Sequence, residues 1–251
     1  MEQPADARGL FVAFEGPDGS GKSTQARAFA AAWAEAGHSV HLTREPGGTD
    51  LGERLRSLVL DPEHAPIDPR TEALLFSAAR AAHVHRCIRP ALASGTTVVT
   101  DRFIDSSVAY QGVGRGLGPE RIAELNRWAV DGTLPDLTVV LDLDAETAAA
   151  RRTARQDTDG TGPDRLEQET AHTHEQLRGS FLEQAAAAPE RYLVLDATTP
   201  IEQRTAEIRA RLEQIAAGRG HATRTAPATA TQSSAGTEPK ATAGTEPEAA
   251  R

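Results

Sequence analysis

Residues 10–24 read LFVAFEGPDGSGKST. Five consecutive apolar residues, Leu10 to Phe14, closed by Glu15 and Gly16, predict a short buried strand of the kind found in parallel sheets. The next eight residues, Gly16 to Ser23, fit G-x-x-x-x-G-K-[ST], and a helical pattern follows from Lys22 to about 36. This strand–loop–helix order is the context in which such a loop binds phosphate. Its glycines let backbone N–H groups approach an anion, and the helix N-terminus adds partial positive charge. Lys22 is one of only two lysines in the chain, the other being Lys240 near the C-terminus; arginine carries the basic charge elsewhere. A flexible ammonium at this one position points to the β- and γ-phosphates of a nucleoside triphosphate, with the Ser23 hydroxyl beside Mg²⁺.

Working outward, β-rich runs alternate with long helical ones. Strands are predicted at 10–15, 39–42, 96–101, 137–144 and 191–197. Helices are predicted at 22–36, 50–60, 70–93, 119–131, 145–155, 165–187 and 200–216. Alternation of this kind implies parallel strands joined by helical crossovers, with ligands at the carboxyl ends of the strands. The expected fold is a three-layer α/β/α P-loop NTPase with a five-stranded parallel sheet.

Composition bounds the rest. The chain has 251 residues, a net charge of −9 and one cysteine, Cys87. The acidic balance argues against a nucleic-acid surface, and one cysteine excludes an internal disulfide or a multi-cysteine metal cluster. The sequence shows no cleavable leader and no run long enough to span a membrane, so a cytoplasmic protein is expected. From 218 to 251 the composition shifts to Ala, Thr, Pro, Gly and Glu, with AGTEPKAT echoed by AGTEPEAA. Such a segment has too little apolar surface to offset its ordering entropy, and residues 1–8 look similar. One folded domain over 9–217 is the expectation. His83, His85, His172 and His174 form H-x-H pairs without a supporting carboxylate pattern and read as surface residues; Cys87 reads as a buried thiol.

The loop alone does not name the acceptor. A GTPase switch would need an Asn-Lys-x-Asp motif, and the only lysine outside the loop, Lys240, is not in one. No signature or coupling module of a transport or motor ATPase is visible, which leaves a kinase of small molecules. Phe76 and Arg80 are four residues apart on a helical pattern and so share a face, where a ring and a guanidinium can stack on a base and bond its edge. Arg151 and Arg155 are likewise one turn apart, ahead of a Gly/Asp-rich stretch and Arg165.

Taken in order, EGPDGSGKST, TREPGGTDLGERLR, LLFSAAR, DRF, AYQGVGRGL and DRLEQE resemble the bacterial thymidylate kinases over about 10–215. The resemblance implies a fold of the nucleoside monophosphate kinase type with a helical lid at about 150–166, and transfer of the γ-phosphoryl group of ATP to dTMP, with Mg²⁺, by a homodimer. It implies that Gly16, Pro17, Asp18, Gly19, Ser20, Gly21, Lys22, Ser23 and Thr24 hold ATP, and that Asp18 also faces the deoxyribose 3′-hydroxyl. Arg44 and Arg102 then bind the monophosphate, and Asp101 orients Mg²⁺ or holds a neighbouring arginine. Phe76 stacks on thymine and Arg80 donates to the carbonyl at position 4. Ser107 and Gln111 lie near the base, and Tyr110 lies close to the sugar. Since Gly19 and Ser20 leave the loop without an arginine, Arg151 and Arg155 of the lid supply cations to the transferring group, beside Lys22 and Arg102. The stretch from Gln156 to Pro163 is longer than the family pattern and acidic. Another pyrimidine deoxynucleotide or a deoxynucleoside as acceptor, and a pocket that binds without turnover, are the alternatives.

Overall fold

The computed structural model describes residues 8–159 and 171–224, with side chains described at 8–154 and 174–219. Five strands form one parallel sheet: β1 (Phe11–Glu15), β2 (Val40–Arg44), β3 (Thr97–Asp101), β4 (Leu137–Asp142) and β5 (Tyr192–Asp196), in the spatial order β2-β3-β1-β4-β5. The apolar run at 11–15 becomes the central strand, and all five of its residues are buried. Successive side chains of a strand point to opposite faces. Val12 and Phe14 accordingly pack with Phe29 and Trp33 of α1 (Lys22–Glu35) and with Ile208 and Leu212 of α9 (Ile201–Arg224). Phe11 and Ala13 pack on the other face with Val84, Ile88, Leu92 and Phe103. Each fully buried Phe, Leu or Ile contributes about 1.5–3 kcal/mol to holding these layers together.

The remaining helices are α2 (Asp50–Leu60), α3 (Pro69–His83), α4 (Arg89–Ala93), α5 (Ile104–Ser107), α6 (Pro119–Val130), α7 (Ala145–Asp159) and α8 (Ala171–Ala187). The single helix expected over 70–93 is interrupted: a π-helical stretch, Val84–Ile88, joins α3 to α4. Pro90 has no N–H to give to the carbonyl four residues back, so the hydrogen-bond ladder shifts register there. A second π-helical stretch, Val108–Gly114, follows α5. Strand β2 runs on to Arg44, two residues beyond the expected end. Helix α9 continues to Arg224, past the boundary expected at 217. No helix among the described residues is long and apolar enough to cross a membrane.

Register decides what meets at the carboxyl edge. Phe14 pairs with Asp101, and Arg44 also pairs with Asp101. The chain leaves β1 toward one face through α1 and leaves β3 toward the other through Phe103 and α5. Between those two departures the sheet opens a crevice, the place where such folds hold ligands.

Candidate active site

The loop after β1 owes its path to glycine. Gly16, Gly19 and Gly21 have φ of 132°, 89° and 88°. A Cβ on Gly19 would stand 2.5 Å from the carbonyl oxygen of Ala148, so both conformation and space require glycine there. Gly16, Pro17 and Ser20 form the buried back of the loop. Asp18, Gly19, Gly21, Lys22, Ser23 and Thr24 face a cavity of about 460 Å³. The same cavity is lined by Arg44, Phe76, Arg80, Asp101, Arg102, Ser107, Tyr110, Gln111 and Arg151. Thus the expected site residues with described side chains meet at one space or directly behind it. Arg155 and Arg165 lie outside the described side chains.

Lys22 is buried; its Nζ donates to the Pro17 carbonyl at 2.9 Å and stands 3.8 Å from Asp18. Burial and the Arg102 guanidinium push the ammonium down to about 8, against the opposing pull of Asp18. Asp18 is held from two sides, accepting from Arg102 and, at 2.6 Å, from the Tyr110 hydroxyl. Burial alone would raise its carboxyl, but Arg102 and Lys22 overcome that and hold it well below the usual carboxylate range. Burial and Asp18 push the Tyr110 phenol up, so it stays a donor.

Arg102 adopts φ of 71°, an uncommon conformation for a non-glycine residue that the surroundings must enforce. Glu15 enforces it. Its carboxylate accepts from the backbone N–H of Phe103 at 2.7 Å and of Ser106 at 3.2 Å, and from the Ser106 hydroxyl at 2.6 Å. Burial and the neighbouring Asp105 raise Glu15 to about 7 against the field of Arg102. A carboxylate closing a buried strand was the available signal for this residue.

Arg80 is buried and heavily engaged. Its Nε donates to Glu45 at 2.6 Å, Nη1 donates to Ser107 at 2.9 Å and to Asn126, and Nη2 donates to the Phe103 carbonyl at 2.8 Å. A guanidinium has five N–H groups, so one on Nη2 is left for the cavity. Glu45 also accepts from, or shares a proton with, His83 Nδ1 at 2.9 Å, whose other nitrogen meets Thr43 Oγ1 at 2.8 Å. His83 and His174 are buried, contrary to the surface reading: His83, at the end of α3, is drawn inward onto Glu45 and Thr43, and His174 lies on the inner side of α8. His85 is exposed, and the His172 side chain lies outside the described residues. Cys87 is half-buried rather than buried, with its sulfur 2.9 Å from His41 Nε2.

Arg44 forms a two-pronged ion pair with Glu53 at 2.9 and 3.0 Å, half exposed at the cavity mouth. On α7, Arg151 lines the cavity and donates to the Ala197 carbonyl at 3.2 Å. Its neighbour Arg152, which sequence reasoning passed over, is buried and donates at 2.9 Å to the Asp18 carbonyl of the phosphate loop.

A cation has a place here. The Ser23 hydroxyl donates to Asp101 Oδ2, while Oδ1 of Asp101 is buried and accepts no hydrogen bond among the described residues. A hydroxyl and a carboxylate with a lone pair to spare, facing a phosphate loop, suit a hard divalent ion that takes its other ligands from phosphates and water.

A family model described as thymidylate kinase matches residues 14–208. The chain is 54% identical over 211 residues to the thymidylate kinase of Clavibacter sepedonicus, covering 84% of this chain and 98% of that one. It is 46% identical over 215 residues to the thymidylate kinase of Deinococcus radiodurans, covering 86% and 100%. The crystal structure of thymidylate kinase from Ehrlichia chaffeensis superposes with a TM-score of 0.65 at 33% identity, covering 82% of this chain and 99% of that one. Matched by the family model over most of its length and by these relatives over more than four fifths of it, the chain belongs to the thymidylate kinase family.

Proposed function

We propose that this cavity transfers the γ-phosphoryl group of ATP to dTMP, giving dTDP and ADP for dTTP synthesis. The observation that carries the reading is that the phosphate loop and the compartment holding Phe76, Arg80, Tyr110 and Gln111 are one continuous space, with Lys22, Asp18 and Arg102 at the junction. A phosphate oxygen of dTMP bonds to the γ-phosphorus as the bond to ADP breaks. That oxygen is already anionic, so the site needs no general base. Its task is to align two anions and offset the charge that spreads over the transferring group.

Lys22 and the N–H groups of the loop hold the donor phosphates. Arg44 and Arg102 grip the acceptor phosphate with planar donor pairs. Releasing Arg44 from Glu53 costs little, because an exposed ion pair contributes only about 0–1 kcal/mol. Asp18 steers the 3′-hydroxyl, Phe76 stacks on the base, Arg80 donates to it, and the Tyr110 ring crowds out a 2′-hydroxyl. Ser23 and Asp101 are the residues that fit Mg²⁺, which when bound neutralises phosphate charge. Arg151, and Arg155 on the same helix, supply cations from the lid. A cytoplasmic homodimer is the expected form; Leu51 and Leu58 of α2, Leu74 of α3 and Trp128 of α6 are exposed apolar side chains on helices that pack against one another.

The test is an assay with ATP and Mg²⁺ against dTMP, dUMP, dCMP, dGMP and thymidine, with products identified by mass. Selective formation of dTDP is expected, together with a rise in KM for dTMP of about tenfold or more in Arg44→Ala. Phosphorylation of thymidine but not dTMP would overturn the roles given to Arg44 and Arg102. Binding of both ligands without turnover would favour a non-catalytic pocket.

A further inference from the structure

Behind the wall of the base compartment sits a carboxylate that touches no part of the cavity. Gln111 lines the cavity, and Glu72, on α3, does not. Both are buried, each 1% exposed. Gln111 Nε2 donates to Glu72 Oε1 at 2.9 Å, and the Arg115 guanidinium pairs with the same oxygen at 3.2 Å. An ionised carboxylate has only acceptors to offer. Were the carboxamide turned over, its Oε1 would face a carboxylate oxygen across that same gap, with no water between to relieve two acceptors in contact. The wall therefore takes the N–H side of Gln111. One Nε2 N–H is spent on Glu72, and the second stays on the wall side of the carboxamide. What is turned away from the wall is Oε1, which accepts no hydrogen bond among the described residues.

We propose that Glu72 is a specificity-determining positioning residue: by fixing the Gln111 carboxamide, it makes the compartment present one acceptor beside the one free donor of Arg80. This donor–acceptor pair matches a pyrimidine with a carbonyl at C4 and an N–H at N3. Cytosine offers the reverse at both positions, an exocyclic amine and a bare ring nitrogen. Arg80 can only donate, whatever its surroundings, but a carboxamide can offer either end. The choice at Gln111 thus needs an outside cause, and Glu72 supplies it. The inference rests on the reading of Gln111 and Arg80 as base contacts given above, and deepens it.

The test measures kcat/KM for dTMP and dCMP in Glu72→Gln and Glu72→Met, with Gln111→Ala as reference, each checked for cooperative thermal unfolding. Glutamine at 72 can meet either end of Gln111, and methionine fills the volume without a hydrogen bond, so either folded variant frees the carboxamide. The expected result is a drop of about tenfold in the dTMP-over-dCMP ratio, arising in KM for dTMP, with dCMP unchanged or improved. Equal losses on both substrates would make Glu72 merely structural and overturn the inference. So would an unchanged ratio in the Glu72 variants alongside a lowered one in Gln111→Ala, which leaves the base contact standing. An unchanged ratio in Gln111→Ala would remove the underlying reading itself, and the inference with it.

Discussion

Lys22 is the residue at which chemistry and environment are in most evident tension. A buried ammonium beside Arg102 has its proton pushed off at about 8, from an ordinary value of 10.5. The sign follows directly. The folded chain releases this proton as pH rises through about 8, whereas the unfolded chain keeps it until about 10.5, so the group contributes stability above the higher value and loses it as pH falls through the lower. Donor phosphates reverse that field. ATP binding is therefore expected to take up more protons near pH 8.5 than near pH 6.5, where the lysine is already charged. Calorimetry in two buffers of different ionisation enthalpy measures the uptake directly. No uptake at the higher pH would mean that the free enzyme already holds Lys22 protonated.

At the scale of elements, α7 carries two adjacent arginines with different duties. Successive residues of a helix lie about 100° apart, so Arg151 can face the cavity while Arg152 turns under the phosphate loop. Arg151→Ala is expected to lower kcat about ten- to hundredfold with little change in the unfolding midpoint, the pattern of a lost cation. Arg152→Ala leaves the part-buried Asp18 carbonyl without this donor. It is expected to cost about 1–3 kcal/mol in denaturant unfolding and to raise KM for ATP. If the two variants behaved alike, the division of labour drawn from the geometry would be wrong. The helix itself was legible from its alternation with strands, but which of its arginines reaches the loop depends on how it is rotated against β1, and no local pattern records that rotation.

For the whole molecule, the homodimer proposed above would cover the apolar side chains left exposed on α2, α3 and α6. Leu74 is 58% and Trp128 79% exposed. Leu74→Glu combined with Trp128→Glu is expected to convert a dimer into a monomer in sedimentation, since a buried unpaired charge costs more than such a contact supplies. A species of unchanged mass would place the interface elsewhere or leave the wild-type chain monomeric.

Local order made much of this protein readable in advance. The strand–loop–helix over 10–36, the parallel alternation, and the Phe76 and Arg80 pair depend on residues within a turn or a strand of one another, and there propensity and periodicity act directly. Sequence alone also singled out Lys22, since a lysine kept in an arginine-rich chain marks a need for that side chain. It did not order the strands, because which runs pair is decided by how helices cover the sheet. Nor could it show that Glu15 holds the Arg102 turn from 88 residues away, or that Glu72 holds Gln111 across 39. Those contacts are made by buried carboxylates whose partners exist only once β1 lies beside β3 and α3 lies against the π-helical stretch after α5. A buried charge must find donors or be expelled. The tertiary structure chose those donors, and in doing so it set the shape and polarity of the site.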